Sequence, residues 1–178
     1  MMQEHSSVAQ INFQDCGLIY SEIDSSNNPV VRAAYPSFDD DFLKIIALRS
    51  IKQQDEMFNE MFSAFQIDND YVAISFFKFF KRARTLSGSP MACLSLVSKQ
   101  AINPFLIKPM LDSLLTSVLR VRVDRDLLKT ILNGFEVNGQ IDLTFKHSNT
   151  TIRIKTKVLT EEELPEFYVE LERDLAKD

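Results

Sequence analysis

YVAISFFKFFKRARTLSGSPMACLSLV, residues 71–97, holds two apolar runs, 71–81 and 91–97, joined by a basic loop at 81–89. Neither run is polar enough to be wet on both faces. The pair is therefore expected to lie inside a sheet with helices packed against it, and the rest of the chain reads as its cover.

The 178 residues suit one domain with a small appendage. Apolar residues make up 45% and charged residues 25%, with four Gly and six Pro, which is globular usage and argues against disorder. Fourteen Phe and no Trp is the unusual entry in the composition; the Phe crowd into residues 62–80, where they fill a core without demanding hydrogen-bond partners. Net charge is −5, unevenly spread. Residues 1–70 hold twelve acids and four bases, whereas residues 71–111 hold no acid and six bases, Lys78, Lys81, Arg82, Arg84, Lys99 and Lys108. One basic segment in an acidic chain suits a local patch for an acidic partner and disfavours nucleic acid.

Cys16 and Cys93 sit in apolar, strand-like surroundings without CxxC spacing, as expected of buried free thiols in a reducing compartment. His5 and His147 have no partner spacing for zinc. A P-loop, a GxSxG elbow and a Ser/His/Asp set are likewise missing, so neither cofactor nor metal is expected. No apolar run reaches membrane-span length, and the start MMQEHSSVAQ lacks the form of a signal peptide. The expectation is a soluble, cytoplasmic protein.

In chain order, residues 1–10 are polar. Residues 11–23 and 29–35 read as strands around the turn cluster DSSNN. The acids 39–41 mark a helix start, with Phe42, Ile45, Ile46 and Arg49 on one stripe. Metal binding by those three adjacent acids is set aside, since they cannot all face one ion from a helix end. Residues 55–64 carry both a helix-continuation and a strand pattern, and 61–67 read as a strand because the turn Asp68-Asn69-Asp70 leads directly into the central pair. Asn103-Pro104 opens a helix whose expected buried side is Phe105, Pro109, Leu111, Leu114, Leu115 and Val118, with a small kink at Pro109. Residues 124–133 form a shorter helix stopped by Gly134. Residues 136–159 read as a hairpin turning at 147–149, and Thr160 with Glu163 is a capping box for a last charged helix. The division expected is a polar start at 1–10, a domain at 11–135, and a hairpin with an acidic helix at 136–178 packed on it.

Residues 17–37, GLIYSEIDSSNNPVVRAAYPS, resemble the opening of the DENN-related longin modules, where a "ySEfd" strand precedes a "GP" turn and a second strand. Tyr20, Ser21, Glu22, Asp24 and Pro29 match, while Asn28 stands where Gly is usual. Residues 92–115, ACLSLVSKQAINPFLIKPMLDSLL, resemble the strand-then-helix segment of the same modules, with Ser98, Lys99 and Phe105 in place. The resemblance spans residues 11–133 and points to DENN proteins, folliculin and the nitrogen-permease-regulator-like proteins. It implies a longin-like α/β (α+β) fold: a five-stranded, mainly antiparallel sheet in the order β-β-α-β-β-β-α-α, here with the C-terminal hairpin and helix added.

For function, the resemblance implies regulation of small Ras-like GTPases in trafficking or signalling. The first expectation is a noncatalytic protein-binding module, contacting a small GTPase or another longin protein as a homo- or heterodimer through Lys78, Lys81, Arg82 and Arg84. The alternative is a GTPase activator acting in trans. In activating members a loop arginine enters the GTPase site, and Arg82 and Arg84 occupy the matching loop here. A planar guanidinium against a γ-phosphate supplies roughly 10³- to 10⁵-fold in rate. A SNARE-like trafficking adaptor is a third expectation, weakened by the lack of a heptad segment or tail anchor. Membrane contact is expected to be peripheral at most, through a partner.

Overall fold

In the computed structural model, which describes residues 11–51, 60–67, 70–80 and 85–164, two strands are buried along their whole length. They are β1 (Cys16–Ile23) and β5 (Met91–Ser98), adjacent at the middle of a five-stranded antiparallel sheet ordered β2-β1-β5-β4-β3. β4 (Tyr71–Phe79) pairs with β5 from Val72↔Ser98 to Phe79↔Met91, so the two apolar runs of the opening stretch are neighbours inside the sheet. The edges are β2 (Pro29–Tyr35) and β3 (Glu60–Ile67). Among its described residues the chain is thus mixed α/β, with three helices.

The pleat sends alternate residues to two faces with different covers. On one face lies α1 (Asp40–Ile51), whose Ile46 packs with Ile19, Ala73 and Val97 and whose Ile51 joins the cluster of Ile23, Phe77, Met91 and Cys93. Between those two apolar groups, Ser75 and Ser95 face each other across the strands, and Ser50 of α1 comes down onto them. The opposite face carries α2 (Pro104–Val118) and α3 (Arg125–Asn133). Leu18, Tyr20, Ile74, Phe76, Leu94 and Leu96 of the sheet share one core with Met110, Leu111, Leu114, Leu127, Leu128 and Ile131 of these helices.

β6 (Gln140–His147) and β7 (Thr150–Lys157) form a separate two-stranded sheet. Ser148 and Asn149 both take positive φ, the backbone of a two-residue turn matched to strand twist. Ile141, Ile152 and Ile154 are buried in the same core as α2, which is therefore covered on two sides. Two hydrogen bonds hold the hairpin in place. Leu159 N–H donates to Leu106 O at 3.0 Å near the start of α2, and His147 Nε2 lies 3.0 Å from Arg122 O beyond its end.

Four details depart from the periodicity reading. Residues 13–15 form a 3₁₀ turn capped by the Asn12 side chain, which accepts from Gln14 N–H, so β1 begins at Cys16 and not at 11. On α1, Ile45 is 42% exposed and the buried side is Ile46, Ala47, Ser50 and Ile51. The sheet demands a small polar contact at Ser50, which rotates the helix away from the stripe that hydropathy alone selects. On α2, Pro109 is exposed, and Leu106, Ile107 and Met110 take the buried positions, because contacts from both the sheet and the hairpin widen the apolar face. The Thr160–Glu163 capping box exists but heads a 3₁₀ turn (Glu161–Glu163), with Leu164 extended; the helix expected after it lies outside the described residues.

Candidate functional site

The basic loop between β4 and β5 is closed at its base by Phe80 N–H donating to Pro90 O at 2.7 Å. Its returning arm, residues 85–90, is tied to itself and to β1. Thr85 Oγ1 donates to Ser89 O at 2.8 Å, and Gly88, at φ +84°, takes a left-handed turn that only Gly adopts without strain. Ser89 is buried, its Oγ 3.0 Å from Ile23 O and 2.9 Å from Met91 O. Ser87 Oγ donates to Glu22 Oε2 at 2.6 Å, across 65 residues of sequence.

Glu22 is the centre of this arrangement. Its carboxylate is only 4% exposed, and its other oxygen accepts from Arg32 Nε at 3.2 Å. The pairing between β1 and β2 explains why Arg32 reaches it. Tyr20 faces Ala33 and Ser21 faces Val31, leaving Arg32 as the extra residue of a β-bulge that turns its side chain to the Glu22 face. A buried carboxylate persists when its oxygens are met by donors, and here one is charged. The Tyr20 hydroxyl is a third neighbour. Burial foremost, and then the Glu22 charge and hydrogen bond, push its pKa well up, so it stays a protonated donor. Tyr20, Glu22, Arg32, Ser87 and Arg122 line a cleft of about 440 Å³ capped by Leu86.

Of the residues the sequence proposes for partner binding, Lys78 lies on β4 with its ammonium 2.5 Å from Asp112 Oδ1 on α2, three-quarters buried. It ties α2 to the sheet through a partly exposed ion pair. Lys81, Arg82 and Arg84 lie outside the described residues. Lys99 and Lys108 rest over the rings of Tyr71 and Phe62. Among the described residues, the structure thus sets Lys78 and Lys108 on the α2 side of the sheet and Lys99 against Tyr71, which packs with the α1 cluster. It also exposes apolar groups on both sides of the loop, Phe79 at 42% and Leu86 at 65%.

Cys16 and Cys93 are free and buried. Burial pushes their thiols up to about 11 and about 12, against weaker opposing hydrogen bonds from Ser98 to Cys16 and from Ser95 and Ser50 to Cys93, so neither is a ready nucleophile. Among the described residues, no three His, Cys, Asp or Glu gather where a metal could be held, and no helix is long and apolar enough to cross a membrane.

The Glu22–Arg32–Ser87 cluster was not singled out as a site by sequence reading, although Glu22 belongs to the segment carrying the family resemblance. The available signal was a pair of opposite charges flanking the 24–28 turn. What hid it is register: the turn is long, with Asp24 Oδ1 accepting from both Ser26 and Asn28 N–H and Asn27 at φ +62°, so loop length does not dictate which residues face each other. Compared with protein-family models the chain matches none, and compared with curated proteins it matches none.

Proposed function

We propose that this chain is a longin-type protein-binding module that engages a small Ras-like GTPase through the β4–β5 loop and its flanks, within a longin–longin assembly. The observation that carries the reading is the pair Phe79 and Leu86, exposed apolar side chains bracketing a segment whose sequence is KRAR. Exposed apolar groups beside basic ones suit an acidic, partly apolar protein surface better than solvent alone. A five-stranded antiparallel sheet with α1 on one face and α2 and α3 on the other is compatible with the fold the resemblance implies. Recruitment to membranes would follow from the partner.

A second reading, an arginine supplied in trans from Arg82 or Arg84, is favoured by the anchored base of the loop. The described residues on either side of the 81–84 segment are held, Phe80 by its N–H to Pro90 O and Thr85 by its Oγ1 to Ser89 O.

The test is binding of the purified chain to small Ras-like GTPases loaded with GDP or with a non-hydrolysable GTP analogue, with Leu86→Asp, Arg82→Ala and Arg84→Ala alongside. Binding that Leu86→Asp abolishes supports the module. Faster GTP hydrolysis lost in either arginine variant, with binding retained, selects the second reading. Binding unchanged in all three variants removes the loop from the interface.

A further inference from the structure

We propose that Ser87 is a phosphorylation site for an arginine-directed protein kinase, and that its modification releases the returning arm of the β4–β5 loop from Glu22. The inference stands whether or not the chain binds a GTPase, since it rests on the loop's own contacts.

Three hydroxyls lie in this arm, and the fold exposes one. Thr85 is 7% exposed with its Oγ1 committed to Ser89 O, and Ser89 is 6% exposed with its Oγ between two carbonyls. Ser89 precedes Pro90, so sequence alone offers it as a proline-directed acceptor, and burial removes it. Ser87 is on the surface, next to Gly88, around which nothing approaches within 4 Å of a Cβ position. A kinase must draw its acceptor into an extended cleft, and an open, glycine-flanked position yields to that most readily. In sequence, arginines stand three and five positions before Ser87, at 84 and 82. Guanidinium groups at such spacing suit a substrate groove lined with carboxylates, where planar, bidentate pairing gives specificity.

The consequence follows from Glu22. In the transfer, Ser87 Oγ forms a bond to the γ-phosphorus of ATP, the bond from that phosphorus to the β–γ bridging oxygen breaks, ADP leaves, and the hydroxyl proton passes to the kinase's base. The modified oxygen no longer has a hydrogen to donate, and the phosphate brings close to two negative charges. A 2.6 Å contact with a carboxylate that is 4% exposed thereby becomes repulsive. Arg32 and Arg122 line the same cleft, but Arg32 is already paired with Glu22, which its strand holds in place, so the phosphate is expected to draw the loop off the carboxylate.

Incubation of the full chain with the catalytic domain of an arginine-directed kinase and Mg-ATP, followed by peptide mass mapping, is expected to place one phosphoryl group on Ser87 and none in Ser87→Ala. A free peptide spanning residues 80–92 serves as control. Modification of the peptide but not of the folded chain, of neither, or of Thr85 or Ser89 in the folded chain overturns the site. Amide hydrogen exchange over residues 85–91 reads the release. It is expected to be about tenfold faster or more in the phosphorylated chain and in Ser87→Ala, on the scale of one hydrogen bond to a charged group. Exchange at the unmodified rate in the phosphorylated chain overturns the release.

Discussion

Ser75 Oγ on β4 lies 2.7 Å from Ser50 Oγ on α1, and the same hydroxyl lies 2.7 Å from Ser95 Oγ on β5, all three fully buried. The helix is joined to the sheet by a short hydroxyl chain at a point where apolar side chains stop. Small residues let the backbones come close, and the hydroxyls satisfy one another in a place water does not reach.

Replacing Ser75 with Ala leaves Ser50 and Ser95 their long 3.5 Å contact with each other and weak hydrogen bonds to Cys93. A loss of about 1–3 kcal/mol is expected, seen as a lower urea midpoint at unchanged slope. Ser75→Val should cost more, since its extra methyl enters the gap the helix fills. A neutral result for Ser75→Ala would mean that the hydroxyl chain does not hold α1.

Gly17 is close to the ring of Phe38. A Cβ there would lie 2.7 Å from Phe38 Cζ and 3.2 Å from Pro36 Cδ, and that ring is stacked on Phe42 of α1 at 4.9 Å between centroids. Gly17→Ala is expected to destabilise by about 1–3 kcal/mol. In the double variant with Phe38→Leu, the cost of the added methyl should fall, giving a coupling energy that a thermal or urea cycle reads directly.

The buried thiols make the fold sensitive to alkali. An exposed thiol ionises near 9.0, while burial holds Cys16 at about 11 and Cys93 at about 12. Between these values the folded chain keeps protons that the unfolded chain has lost. The stability they contribute is complete below pH 9 and declines as pH rises through 11 to 12; the raised Tyr20 acts in the same direction from its ordinary value of 10.0 upward. Urea midpoints should fall from pH 8.5 to pH 11, less steeply in Cys93→Ala. At pH 8, a thiol reagent should label neither cysteine until denaturant is added.

Pro109 occupies the interior of α2 on its exposed side. It has no N–H for the helix ladder, and its ring crowds the preceding turn. Pro109→Ala is therefore expected to stabilise by about 1–2 kcal/mol after allowing for the greater freedom of the unfolded chain. A drop in melting temperature would indicate that Pro109 shapes α2 to meet the hairpin.

The apolar runs 71–81 and 91–97, the Asn103 and Asp124 caps, and the strict alternation through 141–145 and 152–154 are local signals. Each reflects a propensity or a period that survives without neighbours, and the helices and strands follow them closely. Two of the departures share one cause. Ile45 and Pro109 were assigned to buried faces on the strength of a single helix, but a helix's buried face is set by what packs on it, here a serine row for α1 and two separate layers for α2.

The sequence by itself determined that an apolar antiparallel pair must be covered by amphipathic helices, because hydropathy and its period are properties of consecutive residues. Only the tertiary structure decided that Glu22, Arg32 and Ser87 meet. They come from two edges of one hairpin and a loop more than fifty residues away, and they are brought into contact by a bulge and a strand order. A buried carboxylate is tolerated only where donors converge on it, and such convergence exists only in three dimensions.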